Sequence, residues 1–156
     1  LRMACQRQER YSTVLEEEDL YKEIIVDHSQ SPRNQGTLEK PTHRHHGYNP
    51  LCGDEIELQL EVNEAGCIQQ VVFEGSGCAI SQASASMLTQ QLKGKTTAEA
   101  TALIGTFKTW MKDRQAEECP ESLGDIEALA GVRSYPVRVK CALLAWTTLE
   151  HALAGD

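Results

Sequence analysis

Residues 55–62 read Glu55-Ile56-Glu57-Leu58-Gln59-Leu60-Glu61-Val62. Ile56, Leu58, Leu60 and Val62 fall on one side of the alternation, and Glu55, Glu57, Gln59 and Glu61 on the other. Successive side chains of an extended chain point to opposite faces, so this period of two predicts a strand with one buried and one wet face. Asn63-Glu64-Ala65-Gly66 follows as a turn, and Cys67 to Phe73 reads as a second strand, which makes a β-hairpin. A third strand is expected upstream, near His43–Tyr48.

Beyond Gly75-Ser76-Gly77 the period changes. Ile80, Ala83, Ser84, Met87 and Leu88 recur at helical spacing among small neighbours, and Gly94 closes that helix. Ala100, Leu103, Ile104, Phe107 and Met111 mark another. Residues 112–136 hold the breakers Pro120, Gly124, Gly131 and Pro136 around a short helical piece, 125–130. A last helix starts near Val137 and is expected to bury Ala142, Ala145, Trp146, Leu149, Ala152 and Leu153. Before the sheet, Tyr21, Ile24, Ile25 and His28 lie at i, i+3, i+4 and i+7, an amphipathic helix that Ser31-Pro32 stops. Residues 33–41 read as a loop. Residues 1–17 read as a flexible tail ending in an acidic run, and 18–156 as a single domain. Helix, then strands, then helices predicts an α+β fold, a small antiparallel sheet of about three strands covered on one face by helices.

The composition narrows the function. Fifteen Lys and Arg stand against twenty-three Asp and Glu, a formal net charge of −8. Nucleic-acid binding needs a cationic footprint, so that class is disfavoured. The longest apolar run, Cys141 to Trp146, is far short of the roughly 20 residues that span a bilayer. The first fifteen residues have no apolar core of the kind a secretory signal carries, so no export is expected. Six cysteines in 156 residues are too sparse for a disulfide-stapled secreted scaffold. A reducing cytoplasmic compartment, with some cysteines held as thiolates, is the expectation.

Three of the cysteines share a setting. Cys52 lies in the turn Asn49-Pro50-Leu51-Cys52-Gly53-Asp54, Cys78 follows Gly75-Ser76-Gly77 at the start of a helix, and Cys141 is read in the first turn of the last helix. Helix N-termini favour anions and lower thiol pKa values. Asp54, two residues from Cys52, is a fourth candidate ligand. Three thiolates and a carboxylate suit a tetrahedral zinc ion, and Arg138 and Lys140 beside Cys141 could offset its excess negative charge. The spacings are too wide to be diagnostic, and three boundary cysteines can also coincide by chance. Cys67 reads as a small buried hydrophobe, while Cys119 and Cys5 lie in an acidic loop and the tail. His43, His45 and His46 could bind a metal, although such a cluster is more often solvated surface. Asp27-His28 reads as a helix-end pair or a partner contact.

Asn49-Pro50-Leu51-Cys52-Gly53-Asp54, Gly75-Ser76-Gly77-Cys78-Ala79-Ile80-Ser81-Gln82-Ala83-Ser84 and Pro136-Val137-Arg138-Val139-Lys140-Cys141-Ala142 resemble the three cysteine motifs of the IscU/NifU-like iron–sulfur assembly family. The stretch from Tyr21 to Asn34 is similar too, so the likeness runs from about Leu20 to about Leu153. Scaffold members have a histidine directly before the third cysteine, where this chain has Lys140. SufU-type members carry an insertion before that cysteine, which segment 112–136 matches. The chain therefore resembles the SufU branch, and a SufE/NifU-like fold is implied.

That resemblance implies a zinc ion held by Cys52, Asp54, Cys78 and Cys141. It implies sulfur transfer from a SufS-type cysteine desulfurase, with Cys52 as the acceptor and Arg138 balancing charge near the sulfur. Downstream partners would be an assembly scaffold or apo-proteins, with no nucleic acid and no membrane. The alternative is a scaffold on which the same residues hold a transient [2Fe–2S] cluster; an inert structural zinc is a third reading.

Overall fold

The computed structural model describes residues 23–155. The tail expected over 1–17, and Tyr21 of the first helix, lie outside these residues. The sheet has the expected three strands, β1 (His43–Asn49), β2 (Asp54–Val62) and β3 (Ile68–Ser76), antiparallel in the order β1-β2-β3. Leu58 of the central strand lies opposite His45 on one side and Phe73 on the other. Ile56, Leu58 and Leu60 are buried beneath the helices, as the alternation requires.

The wet face departs from the pattern at Gln59. That side chain is buried, because its Oε1 accepts the backbone N–H of Leu38 at 2.7 Å and its Nε2 donates to Glu57 at 3.3 Å. The segment 33–41 thus folds over the sheet rather than standing away from it. Its start also borders β3: Phe73 N–H donates to Asn34 O at 3.0 Å, and Gly36 N–H to Phe73 O at 2.9 Å. β3 begins at Ile68, one residue later than expected, and Cys67 is half-buried in an isolated bridge to Thr96 rather than fully buried.

Helix α1 covers 23–30 and ends at Ser31-Pro32. Helix α2 (Ala79–Leu92) is buried along almost its whole circumference, with every residue from Ser81 to Thr89 in the interior, so it is a central helix rather than a one-sided stripe. Its small side chains let neighbours approach, and the hydroxyls of Ser84 and Ser86 are satisfied by partners from other elements. Ser84 Oγ donates to Ala142 O at 2.6 Å and accepts from Trp146 Nε1 at 3.0 Å. Ser86 Oγ meets His28 Nδ1 at 2.7 Å and accepts Arg33 N–H at 2.8 Å. His28 is therefore a buried anchor joining α1 to α2, not a helix-end pair with Asp27. Asp27 instead pairs with Arg33 at 2.6 Å.

Helix α3 (Thr97–Lys112) opens on a reciprocal capping box between Thr96 and Glu99. The breaker-rich stretch contains a longer helical run than expected, a 3₁₀ segment Glu121–Ser134 kinked at Gly124, whose φ is 53°. Gly131 lies within that run without interrupting it. Helix α4 (Pro136–Ala154) starts on proline, which suits a first helical position that lacks a partner for its N–H. It buries Ala142, Ala145, Trp146, Leu149 and Ala152, while Leu153 is only partly covered. Trp146 stacks on Phe107 with centroids 4.0 Å apart, joining α4 to α3.

One close approach sets where α4 lies. A Cβ at Gly47 would collide with the Thr148 hydroxyl, so the absence of a side chain lets α4 lie directly on β1. No helix among the described residues is long and apolar enough to cross a membrane.

Candidate metal centre

The β1–β2 connection carries the first two candidate ligands. Asn49 and Asp54 face each other across the last register pair of the two strands, with Pro50 to Gly53 between them. Asn49 Oδ1 accepts the N–H of Leu51 at 3.2 Å, the turn-forming bond that asparagine makes with its own downstream backbone. Gly53 adopts φ +68°, a left-handed conformation that reverses the chain between Cys52 and Asp54. Asp54 is wholly buried at the start of β2.

Cys78 is the N-cap of α2, and its Sγ accepts the N–H of Ser81 at 3.4 Å. Its own N–H donates to Asp54 Oδ1 at 2.8 Å, and its thiol lies 3.8 Å from Asp54 Oδ2. Cys141 is wholly buried. Since α4 begins at Pro136, Cys141 lies in the second turn and not the first, beyond the reach of the helix N-terminal field, which fades within one turn. Its Sγ instead faces Val137 O at 3.7 Å.

The turn, the strand and α4 converge. Cys52 Sγ and Cys141 Sγ are 2.9 Å apart, and donor atoms of Cys52, Asp54 and Cys141 all lie within 4.8 Å of one another. Cys78 is outside that mutual triplet but touches it through Asp54. Burial pushes the Cys141 thiol well above the usual cysteine range, and the neighbouring Cys52, Asp54 and Cys78 push it further. A second thiolate and a buried carboxylate in this space require a cation to compensate them. Sulfur donors with one carboxylate oxygen are a set that suits zinc, so these residues fit such an ion.

Asn49 was not among the residues singled out from the sequence. Its side chain is buried, 7% exposed, and Nδ2 points at Asp54 Oδ2 (3.4 Å) and Cys141 Sγ (3.7 Å). The Asn49-Pro50 step signalled a turn, but nothing local revealed that the amide would face a cysteine from α4. Arg138 lies in the first turn of α4, exposed, with no side-chain hydrogen bond or ion pair among the described residues.

The remaining candidates lie elsewhere. Cys119 is partly buried in the loop before the 3₁₀ segment, where desolvation and then the nearby Glu127 charge raise its thiol to about 11, which disfavours the thiolate near neutral pH. His43 bonds to Thr42 Oγ1 at 2.9 Å, His46 to Glu55 at 3.1 Å, and His45 stacks on His151 with centroids 5.0 Å apart. These three histidines do not converge with the cysteines on one group of metal donors. Cys5 is outside the described residues.

The sequence model of the NifU-like N-terminal domain matches residues 20–152. The chain belongs to this family. It is 41% identical over 137 residues to the zinc-dependent sulfurtransferase SufU of Bacillus subtilis, covering 88% of this chain and 91% of that one. It is 40% identical over 134 residues to the iron–sulfur cluster assembly scaffold protein IscU of Streptococcus pyogenes, covering 86% and 82%. Among solved structures, a crystal structure from Fervidobacterium islandicum, provisionally described as a SUF-system scaffold protein, superposes with a TM-score of 0.77 at 39% identity, covering 84% and 94% of the two chains. The NifU-like fold is thus the α+β arrangement expected from the order of helix, strands and helices.

Proposed function

We propose that this NifU-like protein is a zinc-dependent sulfur acceptor for a cysteine desulfurase in iron–sulfur cluster assembly. The reading follows the SufU relative, and one observation carries it: the unequal restraint of the three cysteines. Cys78 is tied by Ser81 N–H and by Asp54, and Cys141 is buried beside the Asn49 amide. Cys52 lies in an open turn, and the one side-chain bond found for it among the described residues is to Cys141. It is the thiol freest to leave a ligand set.

Cys52, Asp54, Cys78 and Cys141 would hold the zinc, which keeps thiols deprotonated at neutral pH without redox chemistry of its own. The Cys52 thiolate attacks the outer sulfur of the persulfide on the desulfurase. The S–S bond breaks, the desulfurase cysteine departs as a thiolate, and the transferred sulfur remains on Cys52 as a new persulfide. No electrons are exchanged with an outside donor. The Arg138 guanidinium, unpaired in the first turn of α4, would balance the negative charge that the thiolates and the Cys52 persulfide carry near the sulfur.

A SufS-type desulfurase would dock over the side chains that surround the cysteines. Tyr48 and Leu51 precede Cys52 in the chain, and Tyr135 and Val137 precede Cys141; all four are more than half exposed. The cytoplasm, a reducing compartment, suits such free thiols.

The test is desulfurase turnover in iron-free buffer with and without the zinc-loaded protein. Strong stimulation that disappears on zinc removal or in Cys52→Ala is expected. A fully active Cys52→Ala protein would overturn the assignment. Absence of stimulation together with anaerobic assembly of a [2Fe–2S] cluster would favour the scaffold role borne by the IscU relatives. Lys140 weighs against that outcome, because its ammonium cannot supply an imidazole ligand.

A further inference from the structure

We infer that Asn49 is a positioning residue that makes the metal centre asymmetric, holding Asp54 and Cys141 in place and leaving Cys52 as the exchangeable thiol. The inference rests on the metal-centre reading above and deepens it. Asparagine presents one acceptor and two N–H donors on a planar amide. Here Oδ1 is committed to Leu51 N–H at 3.2 Å, and a backbone donor must face an oxygen. That contact fixes the amide's orientation and turns both Nδ2 hydrogens toward the site, one to Asp54 Oδ2 and one to Cys141 Sγ.

These bonds do different things. An N–H aimed at a buried carboxylate or thiolate stabilises the anion, because the group would otherwise be desolvated without a donor. Charge drawn from the Cys141 sulfur also makes it a weaker nucleophile. Cys52 receives no such donor among the described residues and keeps its full reactivity. A single side chain thereby ties the β1–β2 turn to α4 across the centre and discriminates between two sulfurs that lie only 2.9 Å apart. Groups that orient metal ligands from outside the coordination sphere commonly affect metal affinity by about 10- to 100-fold.

Two variants separate the amide from the turn. Asn49→Ala removes all three bonds, whereas Asn49→Ser keeps an oxygen for Leu51 N–H and loses the Nδ2 donors. Zinc affinity is read by competition with a chromophoric chelator, and the order of cysteine modification by iodoacetamide labelling and mass spectrometry. The expected result is a loss of about tenfold or more in zinc affinity for both variants. Among the three cysteines of the centre, labelling is expected to reach Cys52 first in the unmodified protein and should spread to Cys141 in the variants. Substitution of cobalt for zinc adds a spectroscopic check, since the thiolate-to-metal absorption should shift in Asn49→Ser. Wild-type affinity and labelling order in Asn49→Ser would show that only the turn matters and overturn the inference. Failure of the unmodified protein to bind zinc would instead sink the metal-centre reading itself.

Discussion

Asp54 Oδ1 accepts the backbone N–H of Cys78 at 2.8 Å, joining the first residue of β2 to the N-cap of α2. The bond exists because nothing stands between the two residues. Gly77 adopts φ +152°, and a Cβ there would overlap the Asp54 carboxylate and crowd the Ser81 hydroxyl. The glycine of the Gly75-Ser76-Gly77 turn is therefore a clearance for a ligand as well as a backbone hinge.

Gly77→Ala should displace Asp54 from Cys78 and disrupt the centre while leaving the sheet and helices in place. We expect substoichiometric zinc after purification and a destabilisation of about 1–3 kcal/mol from overpacking. Metal content by elemental analysis and urea unfolding check the two effects separately. Full zinc occupancy in Gly77→Ala would show that the carboxylate can be held without this clearance.

Alkylation under native conditions should discriminate among the cysteines. With zinc bound, iodoacetamide is expected to modify Cys52 first, then Cys78, with Cys141 protected by burial and Cys119 by its raised thiol pKa. Peptide mapping at short times reads the order. Uniform resistance of Cys52, Cys78 and Cys141 would indicate a closed structural site instead of an exchangeable one.

Gly47→Ala tests whether the seat of α4 on β1 governs the site. The new methyl meets the Thr148 hydroxyl, so α4 must lift or Thr148 must rotate. A loss of about 1–3 kcal/mol in stability is expected, together with weaker metal binding as Cys141 moves away from Cys52. Gly47→Ala combined with Thr148→Ala should recover much of both. Without that recovery, the close approach is not what aligns the two elements.

The His28–Ser86 contact gives a pH signature. Burial, and then the positive charge of Arg33, lower the folded-state pKa of His28 below its ordinary 6.5, so the unfolded chain binds the proton more readily. Stability from neutral His28 is thus fully present above about pH 6.5 and falls as the pH drops toward the lower folded value. Asp27 and Asp125 oppose the shift without cancelling it. Urea midpoints of metal-free protein at pH 7.5 and 5.5, compared with those of His28→Gln, isolate the effect. Equal pH slopes in the two proteins would contradict it.

The sheet was legible from Glu55 to Val62 because alternation is a local property: each side chain's face follows from its neighbours along the strand. Ends marked by Ser31-Pro32 and Gly94 were legible for the same reason, since caps and breakers act within a turn of the chain. The three cysteine motifs were visible as boundary residues, and the family likeness covered nearly the same span as the matched domain. Gln59 could not be read as buried, because its cover comes from Leu38 in a loop with no periodicity of its own. His28 lay on the expected helix face, but its partner Ser86 belongs to a helix more than fifty residues away.

Which residues meet was a matter for the tertiary structure. Cys52 and Cys141 approach to 2.9 Å across 89 positions of chain because α4 rests on β1 at Gly47, and Asn49 reaches Cys141 by the same route. Sequence alone determined the sheet pattern and the inventory of thiols, carboxylate and turns. The order of restraint among those thiols was decided only by packing, because a hydrogen-bond donor discriminates between two sulfurs through distance and direction, and neither is written into residue type or spacing.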